Sequence, residues 1–133
     1  MKRKSNYTAV YNNFPEPPET FDYVNHTVLG VLRTICKNTS YTFDELLNFF
    51  PDELADHGGK FMAHPYVIKK QSDITDDDLK PKKRIFTDQP IRLKKENILI
   101  MVSNQWNNQS SESNFAYFCR AAKKHFNIDI TED

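Results

Sequence analysis

Ile98-Leu99-Ile100-Met101-Val102 is apolar at all five positions, and this run decides the fold class. A strand with one wet face alternates apolar and polar side chains, so an unbroken apolar run predicts a strand covered on both faces. It is far shorter than the roughly 20 apolar residues a membrane helix requires. Upstream, Arg84-Ile85-Phe86 and Ile91-Arg92-Leu93 lean toward β structure. Asp88-Gln89-Pro90 separates them, and Lys94-Lys95-Glu96-Asn97 precedes the apolar run. The three runs predict an antiparallel meander with Ile98–Val102 as its central strand.

Downstream, Ser103 to Ser111 is a polar loop that carries the chain's one tryptophan, Trp106. Phe115, Phe118, Cys119, Ala122 and Phe126 then recur at helical spacing, with Lys123 and Lys124 in the last turns, where cations favour the helix dipole. Asn127 suits a left-handed stop, and Ile128-Asp129-Ile130 alternates as an added edge strand.

The amino-terminal half is helical in pattern. Val24, Val28, Val31, Leu32 and Ile35 lay one apolar stripe, ending near Lys37 or Asn38. Thr42-Phe43-Asp44-Glu45 is a capping box that opens a short second helix. Phe43, Leu46, Leu47 and Phe50 form its apolar face, and Pro51 redirects the chain. One more turn is expected after Asp52, then a brief strand at Tyr66-Val67-Ile68. Residues 71–83 read as an exposed polar connector, acidic at Asp73, Asp76, Asp77 and Asp78.

Residues 1–20 read as an extended arm, basic at Lys2-Arg3-Lys4 and rich in proline from Pro15 to Pro18, with residues 21–133 as a single domain. The fold class expected is α+β: two amino-terminal helices, a three- or four-stranded mostly antiparallel sheet, and a carboxy-terminal helix packed on it. The core is expected to draw on Val28, Leu32, Leu46, Leu47, Phe50, Ile98, Ile100, Val102, Phe115, Phe118 and Cys119.

Eighteen Lys and Arg balance eighteen Asp and Glu, so no overall field draws the chain to nucleic acid or membrane. Two cysteines, both at apolar helical positions, read as buried thiols, and the charged amino-terminus lacks a signal-peptide pattern. A cytoplasmic setting without membrane partners follows as the expectation.

Two features carry candidate function. The first joins Trp106, Asn104 and Gln105 with the arm aromatics Tyr11 and Phe14. An aromatic among amide side chains can anchor a protein interface, which suggests a non-catalytic binding or assembly module that engages a protein partner or a second copy of itself; the same side chains can instead serve the fold, with Trp106 capping the core between sheet and helix and the arm aromatics docked on their own domain. The alternative is local charge: Lys80, Lys82, Lys83, Arg84, Arg92, Lys94 and Lys95 stand against Asp88 alone within residues 80–95. A basic hairpin after two helices fits a winged-helix-like nucleic-acid-binding domain, although the helix at 42–50 carries Asp44 and Glu45 and no cation. His57 and His64 flank Gly58-Gly59 near Asp56, a spacing that commits to no metal. No catalytic residue and no cofactor is assigned.

Overall fold

The computed structural model describes residues 6–56, 66–80, 83–108 and 110–133. It has an α+β architecture with two three-stranded antiparallel sheets, where the sequence suggested one sheet of three or four strands. The first sheet has the order β2-β1-β6, from β2 (Glu19–Asp22), β1 (Asn6–Tyr11) and β6 (Ile128–Glu132). The second has the order β3-β5-β4, from β3 (Ile68–Lys70), β5 (Ile98–Val102) and β4 (Ile91–Leu93).

The apolar run is the central strand of its sheet, as its lack of alternation predicted. Ile100 and Val102 face the main core, while Met101 faces a second cluster with Tyr66 and Ile85 on the other side. The difference from the sequence reading lies in the termini. Tyr7, Ala9 and Tyr11 of β1 are buried, and β1 pairs with β6 from the opposite end of the chain (Tyr7 with Glu132, Tyr11 with Ile128). The segment read as an arm therefore supplies a central strand.

Helix α1 (Val24–Asn38) touches β1 and β2 of the first sheet and β4 of the second, and buried residues of both sheets join in one cluster. At Gly30 a side chain is sterically barred, because a Cβ there would lie 2.1 Å from Cε1 of Phe21. Helix α2 (Phe43–Phe49) starts on the capping box read from the sequence: the Glu45 N–H donates to Thr42 Oγ1 (3.2 Å) and the Thr42 N–H to Glu45 Oε1 (2.9 Å). A short α3 (Asp52–Ala55) follows.

The connector at 71–83 is more ordered than an exposed loop. A 3-10 turn (Gln71–Asp73) and helix α4 (Asp76–Leu79) lie over the outer face of the second sheet, with Ile74 and Leu79 against Tyr66, Ile85 and Met101. Arg84–Phe86 forms a single bridge, Ile85 to Ser103, rather than a full strand. Helix α5 (Asn114–Phe126) ends at Asn127 in the left-handed conformation (φ 54°) and leads directly into β6, on which it packs.

The predicted core residues sit in the main cluster, with Leu47, Ile98 and Cys119 half-buried at its margin. No described helix is long and apolar enough to cross a membrane.

Candidate functional site

The two surfaces singled out in the sequence are placed very differently by the fold. Trp106 is 1% exposed, with its indole edge-on to Phe118 at 5.5 Å between ring centroids and its Nε1–H donating to the Ser103 carbonyl (2.8 Å). Its own N–H donates to Asn25 Oδ1 (3.2 Å), which ties the loop to the start of α1. The neighbouring amides are used internally. Asn114 Nδ2 donates to the Gln105 carbonyl (2.9 Å) and to the Ala55 carbonyl (3.2 Å), while Asn114 Oδ1 accepts the Asn107 N–H (3.0 Å). Asn104 and Gln105 are half-buried, joined by Gln105 Nε2 donating to Asn104 Oδ1 (2.7 Å).

Tyr11 is buried, and its hydroxyl donates to Glu19 Oε1 (2.6 Å), which also accepts from Thr34 Oγ1 (2.6 Å). Burial and the neighbouring carboxylate raise the Tyr11 hydroxyl well above its ordinary pKa, so it remains a donor. Phe14 is half-buried between Tyr11 and Phe126.

The basic residues of 80–95 fall at two ends of the second sheet. Leu93 pairs with Ile98 and Ile85 bridges to Ser103, so the turn bearing Lys94 and Lys95 lies about 17 Å of strand from Lys83 and Arg84, at ~3.3 Å per residue. Arg92 bonds to Asn97, and Lys94 reaches the Lys37 carbonyl at the end of α1. Lys80 and Lys83 are exposed and Arg84 half-buried. Lys82, His57 and His64 lie outside the described residues, and Asp56 is exposed. Among the described residues, no cluster of three His, Cys, Asp or Glu is set to hold a metal.

One buried charge was not foreseen. Asp78 is 5% exposed and accepts from the Tyr66 hydroxyl, from Lys69 Nζ (3.0 Å) and from the Thr75 N–H (2.8 Å). Burial alone would raise its pKa; the Tyr66 hydroxyl, the Thr75 amide and the Lys69 ammonium outweigh it and hold the carboxyl well below the usual range. A carboxylate so fully supplied with donors is a poor base, and its evident role is to lock α4 onto β3. The signal for it was present: Thr75-Asp76-Asp77-Asp78 repeats the capping-box spacing of Thr42 to Glu45.

Two open grooves flank α5, and a third, of about 370 Å³, lies beside the second sheet at Gln71, Arg92, Asn97 and Leu99. On one flank, against β6, a groove of about 380 Å³ is floored by Cys119, Ile128 and Ile130 and edged by Arg120, Lys123 and Lys124. On the other flank, against α2 and α3, a groove of about 370 Å³ is lined by Phe49, Pro51, Leu54, Tyr117 and Ala121, with Arg120 and Lys124 again at its rim. Arg120 stacks over the Tyr117 ring, 4.9 Å from its centroid. Lys123 pairs with Asp129 Oδ1 (2.8 Å). His125 borders the second groove, its pKa lowered by partial burial and by the Lys124 ammonium. Burial pushes both the Cys36 and Cys119 thiols up to about 12, which leaves neither a nucleophile at neutral pH. Compared with protein-family models, curated proteins and solved structures, the chain matches none.

Proposed function

We propose that this chain is a non-catalytic binding module that engages a protein partner on the outer face of α5. The observation that carries the reading is the pair of apolar-floored grooves on the two flanks of that helix, sharing Arg120 and Lys124 at their rims. Concave apolar surface rimmed by charge is what a soluble domain exposes where it associates. The contact moves from the Trp106 loop to this face because a buried indole offers a partner no surface. The loop and the arm aromatics act behind it: Trp106 packs on Phe118 and Phe14 on Phe126, fixing α5 from within.

The test is recovery of partners by the tagged chain from cells that make it, compared between wild type and the R120E/K124E double variant. Both side chains are exposed, so the fold should persist, which a thermal melt verifies. The reading requires a wild-type partner whose recovery falls at least tenfold in the variant. Equal recovery would refute it. A complex dissolved by nuclease and indifferent to R120E/K124E would turn the assignment to nucleic acid on the basic residues of 80–95.

A further inference from the structure

We infer that the outer edge of β6 takes an extended, acidic peptide segment of a partner, which adds to the first sheet as a fourth strand. The inference rests on the binding reading above and names how one of its grooves is filled. Hydrogen-bonded and non-hydrogen-bonded pairs alternate along an antiparallel ladder, and here the alternation is fixed at both ends. The Asp133 N–H donates to the Asn6 carbonyl and the Asn12 N–H to the Asn127 carbonyl. In the register that pairs Ala9 with Ile130, residues 127, 129, 131 and 133 therefore turn their backbone groups toward β1. Those of Ile130 and Glu132 turn outward, where no strand meets them among the described residues, whereas Ile128, which shares their phase, is fully buried.

Among the described sheet edges, β6 is the longest. The chain enters β2 through Pro15, Pro17 and Pro18, which cannot donate to an incoming strand, and β3 and β4 are only three residues long. β6 has five residues and no proline.

The chemistry of the occupant follows from the groove beside that edge. Ile128 and Ile130 lie on the face that α5 covers, opposite Tyr11 and Ala9, so alternate side chains of an added strand would enter the apolar groove over Cys119. Of the cations lining it, Lys123 is engaged by Asp129, whereas Lys124, at the Ile128 end, makes no ion pair among the described residues. The complementary segment carries a β-branched or leucine side chain for the groove and Asp or Glu at the end that lies against Lys124. Its opposite end avoids acidic residues, because Glu132 and Asp133 stand there. This is strand addition, with backbone bonds supplying affinity and the groove and Lys124 supplying selectivity.

The experiment pans a display library of random twelve-residue peptides on the immobilised chain and measures the enriched peptides by fluorescence anisotropy against wild type, I130P and K124E. The Ile130 N–H faces outward, so proline there removes no bond to β1, and K124E is a surface change. A thermal melt establishes that each is folded. Enriched peptides should alternate apolar and acidic residues, lose at least tenfold in affinity to both variants, and regain it on K124E when their acidic residue is changed to Lys. Peptides that bind I130P as well as wild type, or that lack acidic residues, would overturn strand addition; if their binding still falls in R120E/K124E, the α5 reading stands without it. Failure to enrich any peptide also overturns the inference, as does a wild-type dimer that I130P converts to monomer, since the edge then belongs to a second copy. The co-purification result decides the broader reading independently.

Discussion

Replacing Trp106 with alanine separates a core role from a surface role for the most conspicuous side chain in the sequence. The indole is 1% exposed, and an aromatic of this size removes up to ~250 Å² from water, which at ~25 cal/mol per Å² bounds the transfer contribution near 6 kcal/mol. The extended-chain reference inflates that figure, and measured Trp-to-Ala costs cluster at about 3–5 kcal/mol. The substitution also strips the Ser103 carbonyl of its Nε1–H donor and Phe118 of its edge-on neighbour, so about 4 kcal/mol is expected. W106F keeps most of the packing and loses the hydrogen bond, for about 1–2 kcal/mol. Urea unfolding followed by far-ultraviolet circular dichroism reads both. With a slope of about 1.5 kcal/mol per molar, W106A should lower the midpoint by roughly 2 to 3 M. A loss below about 1 kcal/mol would refute the placement of Trp106 in the core and return it to the surface as a candidate anchor.

Three further outcomes test the packing around the candidate site. D78N should remove much of the acid sensitivity of the fold: the native carboxyl titrates below its unfolded value, so its stabilisation is complete above about pH 4 and is lost as pH falls below that, a loss that acid denaturation of wild type and variant compares directly. D78A should cost about 3 kcal/mol in urea unfolding at pH 7, because it leaves Lys69 and the Tyr66 hydroxyl without their acceptor. G30A should lower stability by about 1–3 kcal/mol through displacement of the Phe21 ring, and F21L/G30A should recover part of that in a thermal melt if the clash is the cause.

Local features of the fold were legible and long-range ones were not. The unbroken run at 98–102 announced a doubly covered strand, and Thr42 with Glu45 announced the start of α2, because each signal is contained within a few residues. The division into two sheets depends on Asn6–Tyr11 meeting Ile128–Glu132 across nearly the whole chain, for which no local pattern exists. The acidic run at 73–78 was read as solvent-exposed on charge alone. Asp78 is nevertheless buried, because Tyr66 and Lys69, several residues upstream, supply donors that a linear reading does not bring to it.

The candidate site shows the same division. Lys123 and Lys124 were recognised as cations at a helix end, but the grooves beside them exist only once β6 lies along one flank and α2 and α3 along the other. Trp106 allowed two readings in the sequence, a cap on the core and a surface anchor; Ser103, Asn107 and Asn114 bond within the protein and let the indole sink between the loop and α5, which is the first.

Residue-resolved amide hydrogen exchange along β6, with and without an enriched acidic peptide, tests the central claim most directly. In the free protein the amides of Asp129, Thr131 and Asp133 should be protected by β1, while those of Ile130 and Glu132 exchange readily; the peptide should slow Ile130 and Glu132 and leave the β3 and β4 edges unchanged. Uniform protection along β6 in the free protein, or a peptide that slows exchange elsewhere and leaves Ile130 untouched, would contradict the account.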